Sequence, residues 1–159
     1  MNLQFSLCDD CAAASEAAIR SFERERRITL PVEYRKFLSK SGGGHPEKDL
    51  SEFGKSGDFV SIVYGIHDGA VWKRLDCAVQ AFGHDLSQFL PVAVSNGGNY
   101  FLLKLTEPNF GSVYFWDHEC EDSTPPTFAS LEQVSASFTL WLESLRNPDE
   151  DQEGQHHHR

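Results

Sequence analysis

The first residues able to do chemistry are Cys8 and Cys11, a C-x-x-C pair around Asp9 and Asp10. Between a short strand at 3–7 and a helix, that spacing would suit a thioredoxin-like redox site. The two aspartates oppose it, because they disfavour the thiolate that such chemistry requires. A zinc site would need a second close pair, and Cys77 and Cys120 stand alone. Gly54-Lys55-Ser56 matches the end of a phosphate-binding loop, but Asp49 stands where that pattern demands glycine. A carboxylate there repels phosphate. His67-Asp68 and His118-Glu119 are adjacent pairs to which the sequence assigns no third partner. Hydrolase elbow, zinc-protease and deaminase motifs are missing from the sequence. These residues point to no enzyme, no metal and no cofactor.

Charge narrows the partner. The 159 residues include 14 basic and 24 acidic ones, a net charge of −10. Such a chain is poorly suited to hold nucleic acid or an anionic membrane, and it attracts basic partners instead. The acid is uneven: residues 107–153 hold eleven carboxylates against one base, Arg146. Such acid serves either as a solubilising surface or as a face for a cationic partner. Of the three tryptophans, Trp141 belongs to the core, while Trp72 and Trp116 are either core or partner-facing.

The elements that would position these groups follow from periodicity. An alanine-rich helix is expected over 10–27, capped by Asp9 or Asp10, with Ile19 and Phe22 on its apolar stripe. A second begins with Pro31 at its first position and buries Leu30, Tyr34, Phe37 and Leu38 before Gly42-Gly43-Gly44 stops it. Residues 50–58 read as a polar loop, 59–64 as a strand and 70–82 as a third helix. Asn96-Gly97-Gly98-Asn99 joins two strands in a hairpin, and residues 111–117 form another strand. An acidic loop over 118–127 follows. A last helix over 135–145 carries Phe138, Trp141, Leu142 and Leu145 on one side. The expected fold is α+β: a largely antiparallel sheet flanked by N-terminal helices and a C-terminal helix. One domain is expected over 1–146, with an acidic, histidine-containing tail over 147–159.

Four pieces in order resemble a known family. Leu30-Pro31-x-x-Tyr34-Arg35-x-Phe37-Leu38 followed by the three glycines is similar to the first motif of the SUKH superfamily (Smi/Knr-type). Leu90-Pro91-Val92-Ala93, Gly97-Gly98-Asn99 and Phe101-Leu102-Leu103 resemble its hairpin. Gly111-Ser112-Val113-Tyr114-Phe115-Trp116-Asp117-His118-Glu119 resembles its third motif, and Phe138-x-x-Trp141-Leu142 its closing helix. Glu33 and Ser41 replace the more usual Asp and Asn. The resemblance implies an α+β domain whose motif residues are structural and which has no catalytic set. It further implies a cytoplasmic immunity protein that neutralises a cognate toxin by binding it. The alternative is a regulatory adaptor like the fungal relatives.

A nuclease toxin needs a cationic groove, which a carboxylate-rich surface can occupy. The expected contact residues are therefore Trp72, Trp116, Asp117, Glu119, Glu121 and Asp122. Neither nucleic acid nor membrane is an expected direct partner. All four cysteines are expected to be reduced thiols. With no complete ligand set, chelators should leave the melting temperature unchanged; stoichiometric zinc, lost together with the fold, would contradict this.

Overall fold

Caps and tertiary ties decide where the first helix starts. In the computed structural model, which describes residues 11–53, 56–121, 126–128 and 130–148, α1 runs Glu16–Arg26. Its cap is Ser15, whose hydroxyl accepts the Ala18 N–H at 3.1 Å. Asp9 and Asp10 lie outside the described residues. The alanines before Ser15 stay out of the helix, and the Ala14 N–H bonds the Leu38 carbonyl at 2.8 Å instead. α2, Val32–Lys40, starts one place later than expected, with Pro31 as its cap residue, and buries Tyr34, Phe37 and Leu38. Its glycine exit is a close-packed crossing. A Cβ on Gly42 would lie 2.0 Å from the Cys11 carbonyl oxygen, and Gly43 takes a φ of +76°. Cys11 is disulfide-bonded, which corrects the expectation of four thiols; Cys77 and Cys120 are free, and Cys8 lies outside the described residues.

Six antiparallel strands form one sheet in sequence order: β1 Leu50–Phe53, β2 Ser56–Val63, β3 Phe89–Ser95, β4 Tyr100–Lys104, β5 Val113–Trp116 and β6 Glu132–Ser135. The sheet curls until β1 approaches β6, close to a barrel. Two of these strands depart from expectation. The segment read as a polar loop over 50–58 is β1 and the start of β2, paired in register from Leu50↔Phe59 to Phe53↔Ser56. Its polar residue Ser51 is buried, because its hydroxyl accepts the Trp141 indole N–H at 3.1 Å. β6 is a short half-exposed edge that lacks a strong apolar alternation.

α3, Leu75–Phe82, is shorter than the expected helix, since residues 71–73 form a separate 3₁₀ turn and Gly65 bridges to Arg74. The last helix, α4, is Phe138–Ser144 with Ser137 as its cap. α1, α2 and α4 cover one sheet face, where Ile19, Phe37 and Trp141 meet Val60, Phe101 and Leu103. On the opposite face Phe82 of α3 packs with Phe89, Leu102 and Trp116. The α+β architecture is the expected one.

Phe37 is 5% exposed, with its ring 5.0 Å from that of Phe138 on α4. Truncation opens a cavity between two helices, so Phe37→Ala should cost about 3–5 kcal/mol in denaturant unfolding. A loss under about 1 kcal/mol would place α2 outside the core.

Candidate partner-binding surface

The sheet face under α3 carries one cross-strand row of apolar side chains. Ile62 pairs with Val94, Val94 with Tyr100, and Tyr100 with Trp116. Directly opposed residues share a face, so the row runs across four strands. At its β2 end, Ile62, Tyr64, Val94 and Ala78 line a groove of about 380 Å³ whose wall is Val71 and Trp72. Those two are 60% and 65% exposed, on the 3₁₀ turn that enters α3. The Lys73 ammonium sits 5.6 Å from the Trp72 ring centroid.

At the β5 end the row finishes in the core. Trp116 is 3% exposed. Its ring lies against Phe82 at 5.7 Å, His84 at 5.9 Å and Phe128 at 5.2 Å. The expectation that Trp116 contacts a partner is corrected on this point: α3 and the 126–128 segment cover it. Trp72 keeps the exposure that an anchor needs.

Immediately after Trp116 comes the acidic turn, and its carboxylates have divided roles. Asp117 caps the single 3₁₀ turn 118–120, accepting the Glu119 N–H at 3.0 Å and the Cys120 S–H at 3.4 Å. The His118 backbone N–H and its Nδ1 both reach Asn99 Oδ1, at 3.2 and 2.7 Å, tying the turn to the β3–β4 hairpin. Glu121 folds back and accepts the Phe128 N–H at 2.8 Å and the Thr127 hydroxyl at 3.2 Å. Only Glu119 is exposed and makes no side-chain hydrogen bond or ion pair among the described residues. Asp122 lies outside them.

Sequence reasoning missed Asn99 and Glu121 as organisers of this turn. Asn99 is visible only as a hairpin residue, and Glu121 as one acid among many. The opposite sign of charge also gathers elsewhere. Arg20, Arg24, Arg26, Arg27, Arg35, Lys36 and Lys40 all lie on or beside α1 and α2, with Arg35 bonded to Glu16 and Glu23. Among the described residues, no three His, Cys, Asp or Glu side chains gather as a metal site would require. No helix among them is long and apolar enough to cross a membrane.

These features define the class: a helix-backed antiparallel sheet offering an exposed surface beside α3. The SMI1 / KNR4 family (SUKH-1) matches residues 13–144, and the chain belongs to that family. A search of the curated proteins finds no match.

Cys120 reports on the acidic turn. Its hydrogen bond to Asp117, then the charges of Asp117 and Glu119, push the thiol above its ordinary range. Asp117→Asn should therefore accelerate alkylation of Cys120 by iodoacetamide near neutral pH, followed by intact mass. An unchanged rate would show that Asp117 does not hold the thiol.

Proposed function

We propose that this protein is a cytoplasmic, non-enzymatic immunity protein that neutralises a cognate basic toxin, such as a nuclease, by direct binding. The observation that carries the reading is the placement of exposed Trp72 and the 117–121 acidic turn at the two ends of one cross-strand row. An exposed tryptophan beside an apolar groove is a typical energetic anchor. The carboxylates at the other end of the row, Glu119 foremost, steer a cationic surface toward this face. Family membership supports the reading, since SUKH-type domains often serve as immunity proteins. A regulatory adaptor would use the same surface on a basic partner that is no toxin, and the gene beside this one separates the two.

The test begins with capture of the partner from the native host, followed by stopped-flow association over a salt series. Trp72→Ala should weaken affinity by about 2 kcal/mol or more, roughly 30-fold, mainly through faster dissociation. Glu119→Lys should slow association at low salt, with the difference from wild type shrinking as salt rises. Glu119 is exposed, so stability should stay within about 0.5 kcal/mol. Rates equal to wild type for both variants at every salt concentration would remove this face from the interface.

A further inference from the structure

We infer that His67 is a pH-sensitive latch for the turn that presents Trp72, tightening the surface proposed above while this imidazole is neutral. The geometry allows one protonation state. Nδ1 of His67 lies 2.9 Å from the Gly69 backbone nitrogen, whose N–H can only donate, so Nδ1 carries no proton. Nε2 lies 3.2 Å from the Lys73 carbonyl oxygen, which can only accept, so Nε2 carries it. The neutral Nε2–H tautomer satisfies both bonds. A second proton would set one N–H against another and break the bond to Gly69.

Those two bonds straddle Val71 and Trp72. The backbone closes the base of the loop through Gly65 N–H to Lys73 C=O at 3.2 Å and Leu75 N–H to Gly65 C=O at 2.8 Å. The apex holds short 3₁₀ bonds, Lys73 N–H to Ala70 C=O at 3.0 Å and Arg74 N–H to Val71 C=O at 3.2 Å. Between base and apex, the imidazole joins the descending arm at 69 to the ascending arm at 73. It is a positioning residue for Trp72.

The charged groups around the ring are largely paired with one another. His67 faces a cavity of about 540 Å³ with Asp68 on its own loop, Arg74 and Asp76 at the start of α3, and Glu25 and Arg26 on α1. Arg74 pairs with Asp76 at 2.6 Å and Arg26 with Glu25 at 3.5 Å, while the Lys73 ammonium lies toward the Trp72 ring. Asp68 stands beside the ring and also acts on the Arg74 guanidinium. The hydrogen-bond geometry holds the latch closed while the ring is neutral, and a second proton opens it.

The test uses the free full-length chain, so its outcome is independent of the toxin reading, on which only the functional consequence rests. Amide hydrogen exchange of Gly69, corrected for the intrinsic pH dependence, should lose at least about tenfold in protection between roughly pH 7.5 and 5.5. Collisional quenching of the exposed Trp72 should change over the same range. His67→Asn offers an amide oxygen near the place of Nδ1 and does not titrate, so Gly69 protection should become flat with pH. The imidazole ¹⁵N shifts of wild-type His67 should show the Nε2–H tautomer at pH 7.5, a measurement that needs no variant to fold. Flat protection in wild type, the same pH slope in His67→Asn, or an Nδ1–H tautomer would each overturn the latch.

Discussion

Much of this structure depends on how one indole is seated. Trp141 of α4 is fully buried, with its ring 4.9 Å from Phe101 of β4 and 5.8 Å from Phe138 on its own helix. Burying a side chain of this size removes about 150–250 Å² from water, worth roughly 4–6 kcal/mol at 25 cal/mol/Å². An indole N–H left without an acceptor in that interior would take back about 1–3 kcal/mol. Ser51 provides the acceptor, and it can do so only if residues 50–53 form a strand that curls over α4. The two mutual backbone bonds between Leu50 and Arg146, at 3.0 and 2.9 Å, hold that closure just past the end of the helix. The curl of the sheet and the position of α4 are thus a single arrangement.

The two faces of the sheet are covered unequally, and the candidate surface arises from the difference. Three helices close the face that carries Phe101 and Leu103. The opposite face has α3, eight residues long and so about 12 Å in length. Six strands spaced about 4.8 Å apart present roughly 24 Å of width. One short helix and the 126–128 segment cover Trp116 and Leu102, and leave Ile62, Val94 and Tyr100 partly open. Trp72 stands at the margin of that uncovered strip.

Charge behaves less simply than composition suggests. The net charge of −10 hides a segregation, with basic side chains concentrated on α1 and α2 and carboxylates concentrated after residue 107. Exposed ion pairs such as Arg146–Glu52 contribute at most about 1 kcal/mol, so this segregation does little for stability and chiefly shapes the external field. Within the acidic turn, two of the carboxylates act on their own backbone. Asp117 caps a turn and Glu121 pins the 126–128 segment, which leaves Glu119 to face solvent.

The parts of the molecule specified by nearest neighbours were legible in the residues alone. Apolar spacing reveals α2 and α4, the Asn-Gly and Gly-Gly steps reveal the β3–β4 hairpin, and aromatic and β-branched runs reveal β2 and β5. These features depend on contacts a few residues apart and on backbone preference, which any short window of sequence contains. The SUKH resemblance was legible for the same reason, as four local motifs in order. What lay beyond reach depends on partners distant in the chain. β1 looks like a loop until Trp141 arrives to use Ser51, and Trp116 looks exposable until α3 and Phe128 cover it. Glu121 looks like one more surface acid until the Phe128 N–H needs an acceptor, and His67 looks like half of an adjacent acid–base pair until its ring is seen joining 69 to 73. Residue type and spacing determined which elements form. Only the tertiary structure decided which polar groups are bound inward, because a hydrogen bond is assigned by where donor and acceptor meet in space.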